Sequence, residues 1–437
     1  MYEDLSRLFN DLLNMLQTIE TIALIPTILL LVITLSQYLI LILKPKKKLR
    51  GNFKPSVSVL IPAHNEGKYL KKTIESILNS GYEGKKEIIV IDDGSTDNTS
   101  QIIKTFKKKK LIKSIRTNHI GKSRAMNKGL KLVKNEIVIT VDGDSRLEKG
   151  SIGKLVAPFY DKIVAATTGV IKVANTKKPL SWFQKLEYLN FAFFKSACER
   201  INAVIAASGP LSAFRKKYLV EVGGFSQYTF LEDFDVALKL IKKGYKTHFV
   251  DTAFCYNYVP DNLREFVKQR FRWTRGGAQI IKIHFDMFLN KHYKGPGMYS
   301  LPLLSYWYIH SILMGIALIF LIALGYNNFF LSNGVVFSLD VAKYFFYWFS
   351  VFGIINVGYE ATLGNMSLSI LTIMNMLLLT VTYGIFLLAL KKFKEPLTIK
   401  DIIAFIFMFP YWLILLLVHS LSNIEWFKKR GKNWWKK

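Results

Sequence analysis

The placing of the apolar runs constrains this chain most. Residues 21–43 form one run of about bilayer-crossing length, and four more follow, roughly at 298–325, 341–359, 366–390 and 402–422. Between them, residues 51 to about 290 read as a charged, water-facing module. The hydrophobic fraction of 51% and the mean hydropathy of +0.22 therefore average two unlike kinds of segment. The expected organisation is a membrane protein in four parts. Residues 1–50 hold a weakly amphipathic segment and a first membrane helix, residues 51–260 a soluble domain, residues 261–297 interfacial helices, and residues 298–437 a membrane region of about four apolar segments with a basic tail.

The net charge of +29 raises the question of nucleic acid, and the positions of the basic residues argue against it. Lys44, Lys46, Lys47, Lys48 and Arg50 follow the first apolar run, and Lys428, Lys429, Arg430, Lys432, Lys436 and Lys437 follow the last. Such clusters fit cytoplasmic ends facing anionic lipid. The run Lys107 to Lys110 reads as a solvated helix end. Basic residues after the first crossing place the soluble domain in the cytoplasm, in a multi-pass protein of the cell membrane. With four further crossings, the loop carrying Lys391, Lys392, Lys394 and Lys400 would lie outside, against that tendency, so one segment is expected to be re-entrant or interfacial. The first run is too long and starts too late for a secretory signal and reads as a retained anchor. Cys198 and Cys255 lie far apart and near no histidine cluster, which indicates neither a zinc site nor a disulfide framework.

The soluble part alternates β-branched runs with helical patterns, which predicts an α/β domain with a parallel, doubly wound sheet. Val57, Val59 and Ile61 mark one strand, Ile88 to Ile91 a second and Ile137 to Val141 another, with helices from about Lys68 to Leu78 and Ala125 to Val133. Ligands of such sheets bind beyond the carboxyl ends of the strands. Residues 181–202 and 262–290 mix aromatic with basic residues and read either as core packing or as helices in the membrane interface.

Polar clusters stand at the strand ends. Asp92-Asp93-Gly94-Ser95 follows Ile-Ile-Val-Ile, and Pro62-Ala63-His64-Asn65-Glu66 follows the first strand. A carboxylate there can accept a uracil imide hydrogen, and Glu66 can accept from ribose hydroxyls, although an Asp-Asp-Gly-Ser turn by itself also caps helices. Asp142-Gly143-Asp144 follows the third strand, and two carboxylates at that spacing can hold a hard divalent ion that also grips phosphates. Glu232, Asp233 and Asp235 open a helix. They suit its positive end, yet an inverting sugar transfer also needs one carboxylate to take the acceptor's proton, and Asp233 is the candidate. In Gln269-Arg270-Phe271-Arg272-Trp273 an arginine can bind a diphosphate and an indole can stack on a sugar, the alternative being interfacial packing.

The order Asp-Asp-Gly-Ser, Asp-Gly-Asp, Glu-Asp and Gln-Arg-Phe-Arg-Trp resembles the processive branch of glycosyltransferase family 2. Further matches are Gly121-Lys122-Ser123-Arg124-Ala125-Met126-Asn127-Lys128-Gly129 and Ser208-Gly209-Pro210-Leu211 before Gly223-Gly224-Phe225. The matches span about residues 56–273. The resemblance implies a GT-A catalytic domain embedded in an α-helical transmembrane bundle, a UDP-sugar donor, and Mg²⁺ or Mn²⁺. It assigns nucleoside contacts to Asp92 or Asp93, metal and diphosphate binding to Asp142 and Asp144, and the general base to Asp233, and Pro62, Ala63, Glu66 and Lys122 complete the expected donor site. Acceptor and diphosphate contacts fall to Ser208, Gly209, Glu232, Gln269, Arg270, Arg272 and Trp273.

Among such enzymes, Ser208 to Leu211, Phe409-Pro410-Tyr411-Trp412 and Gly431-Lys432-Asn433-Trp434 look most like poly-N-acetylglucosamine synthases, with hyaluronan and chitin synthases next. Leu231 stands where cellulose synthases often have Thr. The expectation is a β-linked polysaccharide made from UDP-N-acetylglucosamine and exported, its partners being the growing polymer or a lipid-linked acceptor and the bilayer, with room for an accessory subunit. The alternatives are transfer of one sugar to a polyprenyl phosphate or glycolipid, and a non-enzymatic transporter or scaffold.

Overall fold

The computed structural model describes residues 2–44, 53–205, 207–327, 330, 334 and 336–428. Lys46, Lys47, Lys48 and Arg50 of the first basic cluster lie outside the described residues. So do Lys429, Arg430, Lys432, Lys436, Lys437 and the Gly431 to Trp434 stretch. The chain divides into two compact units. One comprises Met1–Leu39, Val267–Arg275 and Ser305–Lys437, the other Ile40–Phe266 and Gly276–Leu304. The first unit starts on helix α1 (Tyr2–Leu43), which runs unbroken through the stretch read from sequence as a separate amphipathic segment.

The second unit is built on one eight-stranded sheet. Its strands are β1 (Val57–Ala63), β2 (Lys86–Asp93), β3 (Lys113–Thr117), β4 (Ile137–Thr140), β5 (Ser145–Leu147), β6 (Val164–Val173), β7 (Ser212–Arg215) and β8 (Lys246–Asn257), in the order β3-β2-β1-β4-β7-β6-β8-β5. The first four are parallel neighbours, as are β6 and β8. β7 runs antiparallel to both β4 and β6, and β5 antiparallel to β8. The sheet is thus mixed, which corrects the all-parallel expectation. Parallel neighbours need a crossover of a dozen or more residues, usually a helix. After β4 that rhythm stops, because the Asp142-Gly143-Asp144 turn leads straight into β5 with no helix between.

Seven helices support this sheet up to the start of the next segment: α2 (Leu70–Leu78), α3 (Thr99–Lys108), α4 (Lys122–Leu132), α5 (Ser151–Val156), α6 (Pro179–Arg200), α7 (Lys216–Glu221) and α8 (Glu232–Lys242). Successive side chains of a strand face opposite ways, so a strand covered on both faces reads as a continuous apolar run. Val57, Val59 and Ile61 pack with Leu70, Ile74 and Ile77 of α2 and with Ile103 and Phe106 of α3. Leu60, Ile89 and Ile91 pack on the other face with Ala125, Met126 and Leu130 of α4. In α6, Leu186, Tyr188 and Phe193 are buried and Phe191 is exposed, so core packing accounts for most of that helix. Helix α9 (Leu263–Ile283) is shared between the units, its middle nine residues belonging to the first.

The remaining helices are α10 (Leu301–Tyr326), α11 (Leu339–Phe349), α12 (Phe352–Thr362), α13 (Ile370–Lys392), α14 (Ile399–Ile406) and α15 (Met408–Lys428). Glu20–Leu43, Pro296–Tyr326 and Ile370–Lys392 are each long and apolar enough to cross a membrane. The pairs α11 with α12 and α14 with α15 are bent by 104° and 62°, and counting each as one span raises the number to five. Two of the four C-terminal runs read as crossings are therefore broken helices. Proline is tolerated in the first turn of a helix, and Pro410 sits in that position of α15, where the chain restarts after Phe407. The two breaks meet: the Val351 amide donates to the Ile406 carbonyl at 2.9 Å. Phe346 stacks on Phe352 and meets Phe407 edge-on around that bond.

Candidate active site

The Pro62 to Glu66, Asp92 to Ser95 and Asp142 to Asp144 clusters stand at the carboxyl ends of β1, β2 and β4. Pro62 and Ala63 close β1 and pair with Ile91 and Asp92 of β2. Asp92 and Asp93 are both buried. Asp92 accepts from the Ser95 amide at 2.9 Å and from the Ser100 hydroxyl, with the Arg116 guanidinium 3.6 Å away. Asp93 accepts from the Thr117 hydroxyl at 2.5 Å and from the Ile120 and Gly121 amides at 2.8 Å each. Burial opposes ionisation of Asp93, but these donors outweigh it and hold its carboxyl below the usual range. The turn-stabilising reading of this cluster is thus part of what the structure contains: Asp92 fixes the loop after β2 and Asp93 the loop after β3. Sequence reasoning passed over Asn65 as a site residue. Its side-chain oxygen accepts from the Thr96 and Asp97 amides at 2.8 and 3.3 Å, tying the β1 loop to the β2 loop.

The second cluster is a tight turn held from three sides. The Ser145 amide donates to the Asp142 carbonyl at 3.1 Å, Thr73 of α2 donates to the Gly143 carbonyl at 2.8 Å, and the Val141 amide reaches Leu60 in β1. Gly143 is required by close approach, since a Cβ there would lie 2.9 Å from the Glu66 side chain. Glu66, Asp142 and Asp144 are consequently neighbours. Burial, then the charges of Asp144 and Asp142, push Glu66 up to about 8. Burial and Asp142 push Asp144 upward in the same way.

Lys122 opens α4 and offsets part of this charge. Its amine lies 2.8 Å from Asp142 and 3.4 Å from Glu232, so it bridges two clusters that are ninety residues apart in sequence. Burial would lower its pKa, but Asp142 and Glu232 overcome that and raise it. Gly209 borders the same space, for a Cβ there would sit 3.0 Å from the Lys122 amine and 3.1 Å from Asp142.

Asp233 lies in the first turn of α8. One carboxylate oxygen accepts from the Phe234 amide at 2.9 Å and the other from the Gly209 amide at 2.8 Å. Helix-end stabilisation and a place in the site therefore coexist in one residue. Burial and Glu232 push Asp233 up to about 6, against the pull of Lys122. Sequence reasoning also missed Lys195 of α6, whose amine donates to the Ser208 hydroxyl at 2.6 Å. The available signal was a lone lysine among residues that bury, with Phe193 before it and Ser196 and Ala197 after it.

The Gln269 to Trp273 stretch lies in the middle of α9 and belongs to the first unit. Arg270 is 2% exposed, with its guanidinium 4.3 Å from the Trp273 ring centre. Arg272 is exposed and Gln269 and Trp273 are half-buried. In the same unit the Tyr308 hydroxyl donates to the Thr274 carbonyl at 2.7 Å, anchoring this stretch to α10.

A hard divalent ion fits Asp142 and Asp144. Their mutual repulsion beside Glu66 is what a cation would relieve, and the donors are all oxygens. Among the described residues no three His, Cys, Asp or Glu side chains form a complete metal cage. That is expected where substrate phosphates supply the remaining ligands.

Residues 58–223 match the family model described as Glycosyl transferase family 2. A poly-beta-1,6-N-acetyl-D-glucosamine synthase of Staphylococcus aureus (strain COL) is 31% identical over 242 residues, which cover 53% of this chain and 58% of that protein. The synthase of the same name from Staphylococcus epidermidis is 31% identical over 234 residues, covering 52% and 55%. The chain thus spans a little over half the length of these relatives. Among solved structures, a mannosyltransferase from Pyrobaculum calidifontis in complex with GDP-Man and Mn²⁺ superposes with a TM-score of 0.59 at 18% identity, covering 94% of this chain and 100% of its own. That likeness supports the GT-A fold of the sheet domain.

Proposed function

We propose that this chain, which carries a glycosyl transferase family 2 domain over residues 58–223, is a membrane-embedded inverting synthase. It would build a β-linked N-acetylglucosamine polymer from a UDP-sugar on the cytoplasmic side. The observation that carries the reading is the convergence of Asp142, Lys122, Glu232 and Asp233, from three separate elements, with Asp233 held at about 6. A general base works best with a pKa near the operating pH. The sugar and the polymer rest on the staphylococcal synthases, which are 31% identical over about half of this chain.

In this mechanism Pro62, Ala63, Asp92 and Asp93 shape the wall for the nucleoside, and Glu66 faces the ribose. Lys122 sits beside the diphosphate. Asp142 and Asp144 would hold a divalent ion, which offsets the charge on the departing diphosphate. Asp233 takes the acceptor hydroxyl's proton as that oxygen attacks the anomeric carbon. The bond from that carbon to the diphosphate oxygen breaks, and its electron pair leaves with the nucleotide, so one displacement inverts the centre. Ser208, Gly209 and Glu232 border the acceptor. For Gln269, Arg270, Arg272 and Trp273 of α9 a diphosphate and acceptor role rests on the family resemblance alone.

The test supplies membranes containing the full-length protein with labelled UDP-N-acetylglucosamine, UDP-glucose and GDP-mannose, with Mg²⁺ or Mn²⁺. Products are sized before and after digestion by linkage-specific glycosidases. Long products from UDP-N-acetylglucosamine that a β-N-acetylglucosaminidase degrades support the reading. A product one sugar larger than its acceptor supports single transfer instead, and incorporation from GDP-mannose alone overturns the donor.

A further inference from the structure

The most informative group outside the roles already given is the amine of Lys195. It stands in α6, a helix that none of the family-like motifs reaches. Among the described residues its one hydrogen-bonding partner is the Ser208 hydroxyl, at 2.6 Å, and it forms no ion pair. A protonated lysine has three N–H donors, so two remain for something else. Ser208 is followed at once by Gly209, whose amide donates to Asp233 at 2.8 Å. Consecutive residues of one turn thus hold an amine by the first and the base carboxylate by the second. Ser208 is itself fixed: its amide donates to the Ser212 hydroxyl at 2.7 Å, and that hydroxyl donates back to the Ser208 carbonyl at 2.8 Å.

We propose that Lys195 is the acceptor-positioning residue of this site, donating a hydrogen bond to the acceptor hydroxyl that Asp233 deprotonates, and that it thereby favours a neutral sugar hydroxyl over an anionic acceptor. The inference rests on the glycosyltransferase reading above and deepens it. A hydroxyl is donor and acceptor at once. Its hydrogen can go to Asp233 while a lone pair takes Lys195, which orients the oxygen and leaves the other lone pair for attack. A phosphate acceptor has no such hydrogen to give and would face the Asp233 carboxylate, while the nearby Lys122 is already engaged by Asp142 and Glu232. Burial draws the Lys195 amine down to about 8, against the opposing pull of the Asp233 charge. That lowered value is consistent with an amine short of a fixed anionic partner.

The experiment uses the full-length protein and whichever labelled nucleotide sugar it hydrolyses, with two probe acceptors: a short β-linked N-acetylglucosamine oligosaccharide and a polyprenyl phosphate. Nucleotide release without acceptor is measured beside transfer, for wild type, Lys195→Met and Lys195→Arg. Loss of one hydrogen bond to a charged group predicts that Lys195→Met raises the oligosaccharide KM, or lowers the ratio of transfer to hydrolysis, by about tenfold or more. The donor KM should move far less, and Lys195→Arg should recover most of the loss. A parallel fall of hydrolysis and transfer, with no rescue by arginine, would assign Lys195 a merely structural part. Preference of the wild type for the polyprenyl phosphate would overturn the acceptor class. A wild type that releases nucleotide from no sugar donor would instead count against the glycosyltransferase reading, so the two failures are distinguishable.

Discussion

At the scale of the residue, the site is defined by carboxylates that neighbours and burial hold out of their usual range. Asp233 is the sharpest case, and Asp233→Asn keeps the shape while removing the proposed base. Transfer should fall about 10²–10⁴-fold. Donor binding, followed by titration with the nucleotide sugar, should change little, and wild-type turnover in the variant would remove Asp233 from the mechanism. Glu66 gives a prediction about stability. Its pKa rises from 4.5 to about 8 on folding, so between those values the folded protein binds a proton that the unfolded chain releases. Stability from this group is complete below about 4.5 and is lost as pH rises through 8. Glu66→Gln should therefore raise the melting temperature at pH 8.5 and leave it nearly unchanged at pH 4.5. Each kcal/mol gained corresponds to about 2–4 °C in a unit of this size. The opposite pH trend would mean that neither burial nor the charges of Asp144 and Asp142 disfavours an ionised Glu66.

Among elements, two motifs far apart in sequence are explained by one contact. Asn127 of α4 donates to the Phe225 carbonyl at 2.7 Å and accepts from the Phe225 amide at 2.9 Å. The Gly-Lys-Ser-Arg-Ala-Met-Asn stretch and the Gly-Gly-Phe turn are therefore two halves of a clamp that seats α4, and with it Lys122, on the sheet. Asn127→Ala strands two polar groups and should cost about 1–3 kcal/mol for each that stays buried and unpaired. The check is a lowered melting temperature with the donor KM of the folded fraction preserved. An unchanged melt would show that the clamp adds nothing. Elements of this kind differ in how far the sequence discloses them. β1, β2 and β4 were legible because burial on both faces leaves β-branched runs, and α4 and α8 because polar and apolar positions alternate at helical spacing. β7 was not, since four residues between two loops carry no period. Lys195 and Asn65 were not, because what matters in each is the partner that folding brings to it.

For the whole molecule, hydropathy located every apolar segment but averaged across the two breaks, since a bent helix and a straight one of equal composition look alike in a sliding window. The breaks bear on sidedness. Three straight crossings, with both bent pairs entering and leaving on one face, would place the loop of Lys391, Lys392, Lys394 and Lys400 in the cytoplasm. The basic tail would lie there as well, and the conflict with the positive-inside tendency would disappear. Single cysteines at Lys394 and, separately, at Asn365 should then label from opposite sides in sealed vesicles, Lys394 from the cytoplasmic face. Labelling of Lys394 from outside would favour five crossings. The Val351 to Ile406 bond carries a further consequence. Hydrocarbon offers no substitute for a lost backbone partner. Two interrupted helices joined in this way are the halves of a clasp: straightening either one at its break parts the Val351 amide from the Ile406 carbonyl and leaves a backbone group on each side without its partner.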